Sequence, residues 1–178
     1  MAIKVVLTGG PSTGKTSLIQ RLDALGHECQ HEISRQITLE GQKRGIDQLF
    51  LKEPLAFSRA LFEGRKAQFI ASEKSTQKQV FFDRGLPDVV AYMDYLDQPA
   101  PSSFLSDLDR YRYDRVFILP PWDNIYVQDN ERYESFEQGK IIHGFLLKCY
   151  TKLGYIPISV PEGSIEARLD FILSHLPE

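Results

Sequence analysis

Apolar residues recur along this chain in two rhythms. Ile3, Val5, Val6 and Leu7 form a short run rich in β-branched side chains, the pattern of a strand buried in a parallel sheet. After a glycine-bearing turn, Leu18, Leu22 and Leu25 follow at spacings of four and three with Ile19 beside them, as on a helix that buries one face. A shorter second strand is expected over 28–32 and a polar surface helix over 34–44. A long helix is expected from about residue 51 to 75, with Leu55, Phe62 and Phe69 seven apart on one face. Residues 79–82 read as a third strand, followed by an Asp83-Arg84-Gly85 turn and a helix through Val89, Val90 and Tyr92. Pro99 and Pro101 punctuate the chain before a short helix near 105–111. Strands are expected at 115–119 and 155–160, and Ile165, Leu169, Ile172 and Leu176 mark a C-terminal helix.

Strands alternating with helices predict an α/β fold of three layers, a parallel sheet covered by helices on both faces. The 178 residues fit a single domain, 1–178, able to bury about two-thirds of its unfolded surface without a metal or disulfide. The segment at about 120–139 is polar and aromatic and longer than an ordinary connection, as lids and binding loops are. A composition of 42% hydrophobic and 25% charged residues excludes disorder as an overall description. The net charge of −3 does not suggest a nucleic-acid or anionic-lipid partner. Cys29 and Cys149 form neither a zinc nor a redox spacing, so reduced thiols are expected. Gly9 and Gly10 cut the first apolar run too short for a signal peptide, and no run approaches a membrane span. A cytoplasmic protein is the expectation.

The chemistry is concentrated first at Gly9-Gly10-Pro11-Ser12-Thr13-Gly14-Lys15-Thr16, followed by Ser17, which matches G-x-x-x-x-G-K-[ST] at every position. Glycines let the backbone form a nest whose N–H groups point at phosphate oxygens, and the helix that follows presents its positive end to the same anion. Lys15 is expected to reach the β- and γ-phosphates of ATP, and the Thr16 hydroxyl to ligate Mg²⁺. Asp83 ends a buried strand, where a water-mediated second Mg²⁺ contact is expected, unless it merely caps the next helix. Arg84 offers a guanidinium fork suited to a phosphoryl or carboxylate oxygen. Arg65 and Lys66 read as a solvated helix face, and the histidines at 27, 31, 143 and 175 form no metal spacing. Trp122 either stacks on a base or anchors its loop.

With these residues the sequence resembles small-molecule P-loop kinases, including deoxynucleoside and thymidylate kinases. Those proteins carry an acidic-Arg pair at the third strand end (here Asp83-Arg84), a carboxylate after the second strand (Glu32) and an arginine in a lid after the fourth (Arg132). More closely, nearly the whole chain is similar to a family of AAA-domain ATPase- and kinase-like proteins. That family is related to the nicotinamide riboside kinase domain of the bacterial NAD-biosynthesis regulator. The matching pieces are the GGPSTGKT loop, Glu32-Ile33-Ser34-Arg35, Asp83-Arg84-Gly85-Leu86-Pro87-Asp88, Asp129-Asn130-Glu131-Arg132 and the 160–168 ending. The resemblance implies a five-stranded sheet in the order 2-3-1-4-5. It makes Glu32 a general base or acceptor anchor, against the plainer reading of a surface pair with Arg35. It makes Arg132 a lid residue that closes over ATP, against that of a surface arginine neutralised by Asp129, Glu131 and Glu134. It also lays the adenine near Pro161-Glu162-Gly163. Ile33 stands where deoxynucleoside kinases have proline, so their substrate pocket does not carry over.

Two functions follow from these expectations. The first is a kinase that passes the γ-phosphoryl group of MgATP to a nucleoside, nucleotide or similar small molecule, with Lys15, Asp83, Arg84, Arg132 and Glu32 at the reacting centre. The second is a switch that hydrolyses ATP or GTP slowly without an acceptor. An Asn-Lys-x-Asp base-reading motif is absent, as is a glycine three residues after Asp83, which tells against GTP. No glutamate follows Asp83, which tells against a ring-forming mechanical ATPase.

Overall fold

The computed structural model describes residues 2–46, 49–123 and 135–177. Five parallel strands, β1 (Ile3–Gly9), β2 (Glu28–Gln30), β3 (Gln79–Asp83), β4 (Arg115–Leu119) and β5 (Ile158–Ser159), form one sheet in the order β2-β3-β1-β4-β5. The register sets Leu7 against Asp83 and Gly9 against Leu119, so the C-terminal strand ends converge at one edge. The chain reverses direction of travel across the sheet on either side of β1, and such switch points are where open α/β sheets form their ligand crevices.

Alternation along the strands builds the three layers. Val5, Leu7, Phe81, Phe117 and Leu119 pack on one face with Leu18, Ile19 and Leu22 of α1 (Lys15–Ala24) and Leu169 and Ile172 of α8 (Ile165–Ser174). Val6, Val80, Phe82, Val116 and Ile118 face the other way. There they meet α2 (Ser34–Lys43), α4 (Pro54–Ser72), α5 (Leu86–Tyr95), α6 (Ser102–Arg110) and α7 (Phe136–Lys152). Successive strand residues point to opposite faces, so each buried strand feeds both cores. Among the described residues no helix is long and apolar enough to cross a membrane.

Four details depart from the sequence pattern. The helix expected over 51–75 is two helices, α3 (Leu49–Lys52) and α4, because Pro54 begins the second and disfavours helical backbone at Glu53. Leu55 is 44% exposed while Phe62 and Phe69 are buried, so the seven-residue face starts only two turns later, at Phe62. The second and fifth strands, expected over 28–32 and 155–160, are shorter, at three and two residues. Helix α7 is missing from the pattern above, although Ser135 caps it and exchanges hydrogen bonds with Gln138 in a capping box.

Candidate active site

Strand β1 ends at Gly9, whose φ of 148° suits glycine alone, and the chain turns through Gly10, Pro11, Ser12, Thr13 and Gly14 into α1. Ser12 and Gly14 also take positive φ, 56° and 81°. The first N–H groups of a helix have no acceptor within it, so Lys15, Thr16 and Ser17 open α1 with donors free for an anion. A Cβ on Gly9 would lie 2.6 Å from the Leu119 carbonyl oxygen. Gly9→Ala therefore combines a backbone strain with a steric clash, and is expected to cost about 2–4 kcal/mol in a urea melt. A loss under 0.5 kcal/mol would mean that the loop tolerates a different path.

Lys15 is buried, and its Nζ donates to the carbonyls of Gly9 (2.9 Å) and Gly10 (2.7 Å) and to the Thr13 hydroxyl (3.2 Å). Burial, helped by the charge of Arg84, pulls its pKa down to about 7 against the attraction of Asp83, Asp88 and Glu32. The loop is held from behind by Arg168 of α8, which donates 2.8 Å to the Thr13 carbonyl. The Arg168 guanidinium also lies 5.9 Å from the centre of the Trp122 ring.

Beyond the loop, charges alternate in sign. Arg65 of α4 donates to both Glu32 carboxylate oxygens, at 3.0 and 3.1 Å, and to the Gly85 carbonyl at 3.3 Å. Glu32 also accepts from the N–H groups of Ile33 and Ser34, and its Oε2 forms an ion pair with Arg84, 2.8 Å from Nε. Arg84 then reaches the Gly9 carbonyl at 3.1 Å and the Asp88 carboxylate at 3.3 Å. Burial alone would raise the Glu32 pKa, but Arg65 and Arg84 outweigh it and hold the carboxyl at about 2. Asp83, paired with Leu7 in the sheet, is buried and shifted upward by that burial against the pull of Lys15 and Arg84.

The sign of the Glu32 shift fixes a pH dependence. A carboxyl whose folded pKa lies below its ordinary value of 4.5 stabilises the fold above that value, and the contribution is lost as pH falls toward about 2. Glu32 is 25% exposed, and the shift corresponds to about 3 kcal/mol. Melting temperatures taken between pH 5 and 2 should fall less steeply for Glu32→Gln than for wild type. Parallel curves would show that another group carries the acid loss.

The structure thus brings Lys15, Glu32, Asp83 and Arg84 together beside the loop, while Arg132 lies outside the described residues. Two expectations are corrected. Glu32 pairs with Arg65 and Arg84, and its carboxylate faces inward instead of forming a surface pair with Arg35. Arg65 is 4% exposed and belongs to the site instead of a solvated face, whereas Lys66 pairs with Asp107 at 2.7 Å. The signal for Arg65 is its place in the buried stripe Phe62, Arg65, Phe69, Ser72, where an arginine demands an anion. Thr16 on the exposed first turn of α1 and the buried Asp83 carboxylate, whose charge a cation would favour, are oxygen donors of the kind Mg²⁺ takes. Among the described residues no group of three His, Cys, Asp or Glu side chains forms an all-protein metal cage.

Comparison with known proteins agrees with this architecture. Solved structures of similar fold include deoxyadenosine kinase from M. mycoides with products dCMP and a flexible dCDP bound, at 15% identity, TM-score 0.69 and 97% coverage of both chains. NadR in complex with NR aligns at 19% identity and TM-score 0.69 over 98% of this chain and 50% of that one. NadR with NAD and AMP-PNP aligns at 18% identity and TM-score 0.66, covering 99% of this chain and 51% of that one. The chain therefore spans about half the length of NadR. No curated protein sequence matches the chain. A family model described as an AAA domain matches residues 4–168, from the second residue of β1 to the middle of α8. With its phosphate loop and the 2-3-1-4-5 sheet, the chain belongs to this AAA-domain family of P-loop proteins.

Proposed function

We propose that the protein is an ATP-dependent kinase that phosphorylates a hydroxyl of a nucleoside-like metabolite. The observation that carries this reading is the ionised Glu32 carboxylate, clamped by Arg65 and Arg84 beside the phosphate loop. Its low pKa suits a hydrogen-bond acceptor that stays charged and orients a substrate hydroxyl. Phosphoryl transfer through a loose transition state asks little of a general base, so orientation is the larger contribution.

In this reading residues 9–17 cradle the triphosphate, and Lys15 faces the β- and γ-phosphates. Thr16 and Asp83 would hold Mg²⁺, which would supply charge neutralisation for the phosphates. Arg84 steadies the transferred group, and the purine ring lies near Pro161-Glu162-Gly163. The chain acts as one cytoplasmic nucleotide-binding unit over 1–178, with about 120–139 as the lid. Arg132 in that segment closes over the donor, so Arg132→Ala should lower turnover by about tenfold or more while leaving ATP affinity within twofold. Unchanged turnover would remove Arg132 from the reacting centre.

The test is a thermal-shift panel with ATP or GTP plus Mg²⁺, crossed with nucleosides, nucleotides, pyridine ribosides and sugars, followed by product analysis. Because the similar structures hold dCMP, dATP or NR, deoxycytidine, deoxyadenosine and nicotinamide riboside lead the panel. One nucleoside should add to the shift given by an unreactive ATP analogue and should become phosphorylated. If nucleotide alone shifts the melt and is hydrolysed at the same rate without any acceptor, the switch reading replaces this one.

A further inference from the structure

Asp88 ends the charge chain and has no part in the steps above. It is 0% exposed and lies in the first turn of α5. Its Oδ1 accepts from the Thr8 hydroxyl at 2.6 Å and from Arg84 Nη1 at 3.3 Å, and its Oδ2 from the Tyr150 hydroxyl at 2.6 Å and the Gly85 N–H at 2.9 Å. The three neutral donors are shorter contacts and already meet much of the cost of burying this carboxylate. The Arg84 contact therefore does more for the guanidinium than for Asp88.

Arg84 needs such support. Its φ is 74°, left-handed backbone that costs a non-glycine residue about 1–2 kcal/mol and persists where surroundings over-determine it. The main chain is fixed by its N–H bond to the Leu7 carbonyl at 3.1 Å. The side chain is fixed by Glu32 on Nε, by Gly9 and Asp88 on Nη1, and by the Tyr92 ring 5.4 Å from Cζ. Helix α7 joins this anchor to the phosphate loop. Its first turn lies against the loop, so that a Cβ on Gly10 would meet the Gly139 carbonyl oxygen at 3.2 Å. About three turns later the same helix presents Tyr150 to Asp88.

We propose that Asp88 is a positioning residue that aims the Arg84 guanidinium at the phosphate loop, and that Tyr150 ties this anchor to α7. The proposal rests on the kinase reading only for the consequence in turnover; the aiming of Arg84 is independent of it. Other groups facing Asp88 and Arg84 are Glu32 from the β2–α2 turn, Arg65 from α4, Lys15 from α1 and Asp83 from β3.

The experiment compares wild type with Asp88→Asn and Tyr150→Phe by proton–nitrogen spectroscopy of the arginine Nε–H groups, the Arg84 signal being assigned by its loss in Arg84→Lys. In wild type that group, 2.8 Å from a Glu32 oxygen and little exposed, should give a resolved signal. It should shift or broaden in both variants while the amide signals of residues 12–17 stay in place. With the nucleoside that proves to be phosphorylated, kcat should fall about tenfold or more while the KM for ATP stays within twofold. A structural role alone would lower the melting temperature and leave both the Arg84 signal and kcat unmoved. An unchanged Arg84 signal in either folded variant overturns the proposal, and Tyr150→Phe decides alone if Asp88→Asn does not fold. If no nucleoside is phosphorylated, the kinase reading fails, whereas the spectroscopic comparison still decides whether Asp88 holds Arg84.

Discussion

Alanine in place of Lys15 is expected to abolish the rise in melting temperature that MgATP gives the wild-type protein. At a hundredfold excess over Kd a ligand adds about 2.7 kcal/mol, which for a chain of this size is a rise of about 5–10 °C. Lys15 Nζ lies among the Gly9 and Gly10 carbonyls and the Thr13 hydroxyl, so it can transfer from these acceptors to phosphate oxygens without crossing the site. Its buried ammonium is close to neutral-point titration at pH 7, so its removal should change the melting of the protein alone far less than it changes the response to nucleotide. The same shift gives a second readout. A lysine pulled to about 7 is mostly amine at pH 8, and phosphates that require the ammonium must recharge it. Calorimetry at pH 8 in buffers of different ionisation enthalpy should therefore show proton uptake when MgATP binds. A full thermal shift in Lys15→Ala would place the phosphate site elsewhere.

Arg65→Met should destabilise the protein by about 3–5 kcal/mol, lowering the melting temperature on the order of 10 °C. The guanidinium is almost fully enclosed and neutralises Glu32, so methionine fills the volume but leaves that carboxylate with Arg84 as its remaining ion-pair partner among the described residues. Replacing both partners, as in Arg65→Met with Glu32→Leu, should recover part of the loss, because a buried pair removed together leaves no uncompensated charge. The two single variants and the double form a cycle whose coupling energy should exceed about 1 kcal/mol. A single-variant cost under about 1 kcal/mol, or strictly additive costs, would mean that solvent or Arg84 compensates Glu32 and that the ion pair is incidental.

The sheet and the phosphate loop were legible in the sequence because both depend on local pattern. Buried parallel strands read as short β-branched runs, and the loop needs its glycines, lysine and hydroxyl at fixed offsets. Arg65 was legible only as a charge on the face of Phe62 and Phe69, because its partner Glu32 is thirty-three positions away. Only the packing of α4 on the β2–α2 turn turns one stripe position into a salt bridge. Helix α7 was obscured by Gly139 and Gly144 among its apolar positions, although the Ser135–Gln138 cap is a readable start. The break at Pro54 was also readable, since proline begins helices far more readily than it continues them. Asp88 shows the limit of local reading. Its motif neighbours were visible, but two of its four donors, Thr8 and Tyr150, come from distant parts of the chain.

The sheet order also has a consequence during synthesis. Strand β1 is the central strand, yet its partner β4 starts only at Arg115, after β3 has covered the other side. At about 5–20 residues per second, a ribosome needs roughly 5–20 s to make the intervening stretch. Through that interval the β4-facing hydrogen-bonding edge of a strand destined for burial is open to any other strand that comes by. Chaperone depletion should therefore reduce the yield of this protein most when translation is slowed between β3 and β4, where a nascent chain holds the phosphate loop on a half-built sheet.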